Sequence, residues 1–147
     1  MATLARSAGV TQKEAKAILD AYWRRNWSVR AIPNDIKTRR TTDGSMWLFN
    51  PISKFWYSLR AEKDIFSTLN QGTGGYCFDK WIGYIREKRP QLTGQFHDEI
   101  ILTVKKGYRK ECTSLLKWAI KKVNDELKLN RDLDVDVQFG INYSMIH

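Results

Sequence analysis

Apolar and polar positions recur along this chain with two periods, helical and alternating, and the places where one gives way to the other mark its elements. Thr11-Gln12-Lys13-Glu14 is a capping box, with Thr11 as N-cap and Glu14 reaching back. The helix it opens carries Ala15, Ile18, Leu19 and Tyr22 on one stripe. Trp23 and Trp27 extend that apolar side, while Arg24, Arg25 and Arg30 crowd its exit. Residues 29–37 read as a second short helix whose limits Pro33 blurs. A basic segment, 38–44, ends in an Asp-Gly turn signal. Strand formers at 46–49 and 55–59, separated by the breaker Asn50-Pro51, predict a hairpin rich in aromatic residues. Most of those aromatics are expected in the core, where Trp and Phe usually lie.

Residues 60–88 predict one long helix, stopped by Pro90. Its middle, Asn70-Gln71-Gly72-Thr73-Gly74-Gly75, carries three glycines, each costing about 1 kcal/mol relative to alanine inside a helix. Either another backbone or a ligand approaches closely there, or the segment is a loop between two helices. It is not a phosphate loop, since no Gly-Lys-Ser/Thr follows. Gly107 precedes a helix with Cys112, Leu115, Leu116, Ala119, Ile120, Val123 and Leu127 on one face. Lys110, Lys117, Lys121, Lys122 and Lys128 lie around it as a solvated surface. Val135, Val137 and Phe139 alternate with Asp134, Asp136 and Gln138, which predicts a final strand with one buried face.

Between the two long helices lies the stretch richest in chemistry, Gly94-Gln95-Phe96-His97-Asp98-Glu99-Ile100-Ile101-Leu102-Thr103-Val104. Two short strand-like runs flank His-Asp-Glu, so a hairpin would hold Asp98 and Glu99 at its tip. Oxygen ligands placed there suit Mg²⁺, which takes one or two carboxylates and fills its shell with water and phosphate. Two-metal phosphoryl transfer uses such carboxylates to hold ions about 3.5–4 Å apart. Taken alone, the tripeptide is better explained as ordinary turn chemistry, because turns recruit Asp routinely.

Composition changes the picture in one direction. The 147 residues suit a single domain, 1–147, long enough to bury a core without staples. Lys and Arg outnumber Asp and Glu by 25 to 16, a formal charge of +9, which favours a polyanionic partner, nucleic acid before membrane. Six Trp, six Tyr and six Phe suit base stacking as well as core packing. Cys77 and Cys112, with two histidines, do not make a zinc site of common spacing and read as reduced, buried thiols. No apolar run approaches the roughly 20 residues that span a bilayer, and the N-terminal residues lack a signal-peptide core, so a cytoplasmic protein is expected.

In this order and spacing, four stretches resemble the C-terminal part of the palm of family-A DNA polymerases, the phage replicative branch above all, over nearly the whole chain. Leu4-Ala5-Arg6 with Lys13-Glu14-Ala15-Lys16 and Tyr22-Trp23 resembles the helices that follow the nucleotide-binding fingers helix. Gln71-Gly72-Thr73 resembles the Gln-Gly-Thr of the long palm helix, and Gln95-Phe96-His97-Asp98-Glu99 the third polymerase motif. Gly140-Ile141-Asn142-Tyr143, running to His147, resembles the family's Gly-x-Asn-aromatic ending and final His.

The resemblance implies an α+β fold in which an antiparallel palm-type sheet, the HDE hairpin plus the C-terminal strand, packs on long helices beside the aromatic hairpin. It implies that Asp98 ligates catalytic Mg²⁺, that Glu99 supports the same site, and that His97 sits beside the primer terminus. Gln71 would read the minor groove of the new pair, whose acceptors all base pairs share, and Gly72 would let the helix approach the duplex. Lys63 falls where the family has an arginine, Ser67 where many relatives have asparagine, and His147 at the DNA-facing end.

The family's upstream metal aspartate, in an Asp-Tyr-Ser-x-x-Glu-like motif, has no match here, nor has the fingers helix that holds the triphosphate. Three readings follow. The first is the C-terminal subunit of a split DNA polymerase in a phage-infected or lysogenic bacterial cytoplasm, acting on primer-template DNA and deoxynucleoside triphosphate with a complementary chain that carries the other aspartate and the fingers helix. The second is a non-catalytic DNA-binding module or inactive remnant, and the third a small Mg²⁺-dependent nuclease.

Overall fold

The computed structural model describes residues 2–89 and 92–146. Pro90, the expected helix stop, and His147 lie outside the described residues. The architecture is α+β, with two small antiparallel sheets and five α-helices among the described residues, and the chain divides into two compact units. The first comprises residues 1–49 and 56–68, the second residues 50–55 and 69–147.

In the first unit, helices α1 (Ala2–Ala8), α2 (Gln12–Arg25) and α3 (Trp27–Asp35) follow one another. The capping box forms as its residue types dictate: the Thr11 amide donates to Glu14 Oε2 at 2.9 Å, and the Glu14 amide to Thr11 Oγ1 at 3.3 Å. The Thr11 hydroxyl and amide hold the Glu14 carboxyl below its usual range. The apolar stripe expected on α2 is not a core stripe. Ala15 is buried, but Ile18 and Tyr22 stand about half exposed, because no element of the unit covers that face. Strands β1 (Thr38–Arg40), β2 (Met46–Phe49) and β3 (Trp56–Leu59) form one sheet in that order. The Asp-Gly turn links the first two: Asp43 accepts from the Thr41 hydroxyl and from the amide and hydroxyl of Ser45, and Gly44 takes a φ of 84°. The basic segment thereby becomes a third strand beside the aromatic hairpin, with Arg39 4.3 Å from the Trp56 ring centroid.

The second unit is organised by two long helices, α4 (Ile65–Lys88, beginning in the first unit) and α5 (Arg109–Leu127). Their facing stripes, Cys77, Trp81, Ile82 and Ile85 against Cys112, Leu116, Ala119, Ile120 and Val123, form one buried cluster. The five lysines around α5 are exposed, as a solvated surface requires. Trp81 buries its ring and still donates Nε1–H to the Leu116 carbonyl at 3.2 Å, so its polar atom is satisfied. Burial pushes both cysteine thiols above their ordinary value. The glycine-bearing segment 70–75 is helix throughout. Asn50, fully buried in the loop after β2, accepts from the amides of Ile52 and Ser53 and donates to Thr73 Oγ1 at 2.9 Å. The breaker is thus a polar clasp on α4.

Strands β4 (Gly94–Phe96) and β5 (Glu99–Ile101) pair as the expected hairpin, but the C-terminal strand does not join them. Residues 134–139 keep the predicted alternation, with Val135, Val137 and Phe139 turned onto the core after Leu133, yet form no ladder. Side chains of α5 take their polar groups instead. Asn124 donates to the Leu133 carbonyl and accepts its amide at 2.8 and 2.9 Å, and Lys117 reaches Asp134 at 2.5 Å. One-sided burial alone produces the alternation, so the pattern arises without a strand partner.

The Trp81 contact sets a test of this packing. Trp81→Phe keeps most of the buried ring and loses the indole hydrogen bond, costing about 1 kcal/mol. Trp81→Ala opens a cavity at the helix interface and costs about 3–5 kcal/mol. Urea unfolding of both variants checks the two values; equal, small losses would show that the interface does not carry the unit.

Candidate functional site

The HDE turn is a two-residue connection. Phe96 pairs with Glu99, which leaves His97 and Asp98 as the tip, and Glu99 becomes the first residue of β5 rather than a tip residue. His97 takes a φ of 45°, a left-handed conformation that a tight hairpin demands and that His tolerates better than branched residues do. His97 and Asp98 are exposed, and Glu99 is half-buried. The hairpin is fastened at its open end, where the Thr93 and Thr103 hydroxyls meet at 2.9 Å, the Thr103 amide donates to Thr93 Oγ1, and Arg89 donates to the Thr103 carbonyl.

At the other end the hairpin meets the chain terminus. The Tyr143 hydroxyl donates to Glu99 Oε1 at 3.2 Å, and its ring lies 6.2 Å from that of Phe96. Lost solvation and the adjacent Glu99 charge hold the Tyr143 phenol above its usual value, so it stays a donor. Tyr143 opens a short 3-10 turn, Tyr143–Met145, entered from Gly140. A Cβ at Gly140 would stand 2.7 Å from Met145 Cβ, so the turn closes only around glycine. The Gly-x-Asn-Tyr sequence is therefore a device that delivers a phenol to the hairpin, which the spacing of the motif alone does not reveal.

Gln71 is exposed on α4 and Gly72 half-buried. Gly74 and Gly75 are also exposed, and a Cβ at either would meet nothing within 4 Å. No internal contact requires glycine there. Gly74 stands three and seven residues before Cys77 and Trp81, on the same face of α4 but itself exposed. A cleft of about 820 Å³ runs along this face of α4. Asp98 and Glu99 line it together with Gly74, and Asp134 and Asp136 of the C-terminal segment lie on it too. Lys117 holds the Asp134 carboxyl below its usual range.

The donor chemistry fits a hard cation held in part: an exposed Asp98 carboxylate, with Glu99 oriented by Tyr143, would leave most of the shell to water and phosphate. Among the described residues no three His, Cys, Asp or Glu side chains gather as a metal cluster. Lys63 and Ser67 belong to the first unit. Lys63 lies in the 3-10 turn before α4, and the Ser67 hydroxyl donates to the Asp64 carbonyl at 3.0 Å. No helix among the described residues is long and apolar enough to cross a membrane. Set against protein-family models, curated proteins and solved structures, the chain matches none.

Since Gly74 and Gly75 face open space, alanine fits both without strain and removes the helix penalty of glycine. Gly74→Ala and Gly75→Ala should each stabilise the protein by about 0.5–1 kcal/mol. Thermal and urea unfolding check this; a loss of stability would mean that glycine is needed for the fold itself.

Proposed function

We propose that this chain is the C-terminal part of a family-A DNA-directed DNA polymerase of the phage replicative type, working with a complementary polypeptide. The observation that carries the reading is convergence. Three stretches that resemble the family, Gln71-Gly72-Thr73, His97-Asp98-Glu99 and Gly140–Tyr143, meet within one unit: Thr73 shares a cleft with Asp98 and Glu99, and Tyr143 bonds to Glu99. The open glycine face gives a second support, because an exposed helix that forgoes two β-carbons without internal cause is suited to close approach from outside.

In this reading, a primer 3′-hydroxyl attacks the α-phosphate of a deoxynucleoside triphosphate in line, and pyrophosphate leaves. Bound Mg²⁺ would supply charge neutralisation at the phosphates. Asp98 would hold it, together with an aspartate of the complementary chain. Glu99, oriented by Tyr143, would support Asp98. Gln71 would sense the minor groove of the nascent pair through acceptors common to every base pair. His97, exposed at the tip, would lie beside the primer terminus. The workplace would be the cytoplasm of a phage-infected or lysogenic bacterium.

Several outcomes are expected. The purified chain alone should bind primer-template DNA with marked salt dependence and extend nothing. In a complex reconstituted with a complementary chain, Asp98→Ala should abolish single-turnover extension and Asp98→Asn come close, since Asn keeps the shape and loses the charge; Glu99→Ala should cost less. Gly75→Ala should weaken duplex binding despite its gain in stability. Near-parental extension by Asp98→Ala would reduce the HDE turn to a turn and leave a non-catalytic DNA-binding module as the better account. Robust extension by the chain alone would contradict the split site.

A further inference from the structure

We propose that the corner between α2 and α3 is a stacking platform for the unpaired bases of a single-stranded nucleic acid. The proposal uses the first unit alone, goes beyond the polymerase reading, and does not rest on it.

Trp27 is 69% exposed, the most exposed tryptophan side chain given by the fold and one that no core claims. Trp23, half-buried, stands one turn earlier and is braced edge-on by Tyr22 at 5.0 Å. The corner that sets the two indoles is stiff. Asn26 caps α2, its backbone amide donating to the Tyr22 carbonyl at 2.9 Å and its Nδ2 to the same oxygen at 2.8 Å. Trp23 and Trp27 line one groove of about 690 Å³, together with Arg24, Arg30, Asn34 and Asp20. Arg30 lies 5.9 Å from the Trp23 ring centroid. Asp20, the one carboxylate on the groove, is engaged by Lys16 at 2.6 Å.

The occupant follows from this chemistry. The first unit carries eleven Lys and Arg against six Asp and Glu, a surplus of five positive charges, so a polyanion is the complementary partner. Flat exposed indoles beside guanidinium groups match nucleobase faces alternating with phosphates. Duplex bases already stack on one another and offer only edges, so the platform selects an unpaired strand. A lipid surface fits less well. Asn34 and Asp20 line the groove, and an acyl chain would leave their polar groups unmatched, whereas base edges can pair with them.

The test uses the full chain and fluorescence anisotropy with three labelled probes: a short oligothymidylate, a base-free sugar-phosphate strand of equal length, and a blunt duplex. Oligothymidylate should bind more tightly than the base-free strand. Trp27→Ala should weaken oligothymidylate binding about five- to tenfold and change base-free and duplex binding by no more than about twofold. Trp27→Tyr should restore most of the loss, which a folding defect would not allow. Equal binding of oligothymidylate and the base-free strand, or unchanged oligothymidylate affinity in Trp27→Ala, would overturn the platform. So would a Trp27→Ala loss confined to binding of phosphatidylglycerol vesicles.

Discussion

The packing of α4 against α5 is the constraint on which the second unit depends. The buried stripe of α4 is matched by that of α5, and Trp81 meets its polar need within the pair, at the Leu116 carbonyl. A helix held this way cannot rotate about its axis without exposing Ile85 and Trp81. Its N-terminal turns in the unit are thereby aimed as well. Gly74, three residues before Cys77, lines the cleft beside that core.

Around that cleft, polar contacts position what hydrophobic packing cannot. The Asn50 clasp joins the loop after β2 to α4 at Thr73, one residue before Gly74. The hairpin is gripped at Thr93 and Thr103 and again by Tyr143 at Glu99, so the exposed Asp98 sits one residue beyond a fixed point. This is how a short two-stranded ribbon, marginal by itself, holds a carboxylate in a defined place. The neighbouring C-terminal segment is secured by Asn124 and Lys117 of α5 and shows that side chains can substitute for a strand partner.

Periodicity made the long helices and the hairpin legible. The α5 face from Cys112 to Val123 repeats at helical spacing, and its burial follows directly. The same signal made α2 legible, yet its Ile18 and Tyr22 remain exposed: a stripe records what a helix could bury, not what covers it. At residues 133–139 alternation arose from burial on one side alone. The third strand of the first sheet was hidden in Thr38-Arg39-Arg40, since an exposed edge strand carries no apolar alternation. At the candidate site, Asp98, Glu99 and the glycine-rich turns of α4 were legible from residue type. The Tyr143–Glu99 bond was not, because it joins residues 44 apart in sequence and depends on a turn only Gly140 permits.

The central claim is that a nucleic-acid duplex approaches the open glycine face of α4 and the HDE turn together. Amide hydrogen exchange of the chain, with and without saturating primer-template duplex, reads this by segment. The account predicts slower exchange in two separated stretches at once, residues 70–75 and residues 96–101, with the α5 core unaffected. Protection that leaves both stretches unchanged while the duplex is bound would contradict it.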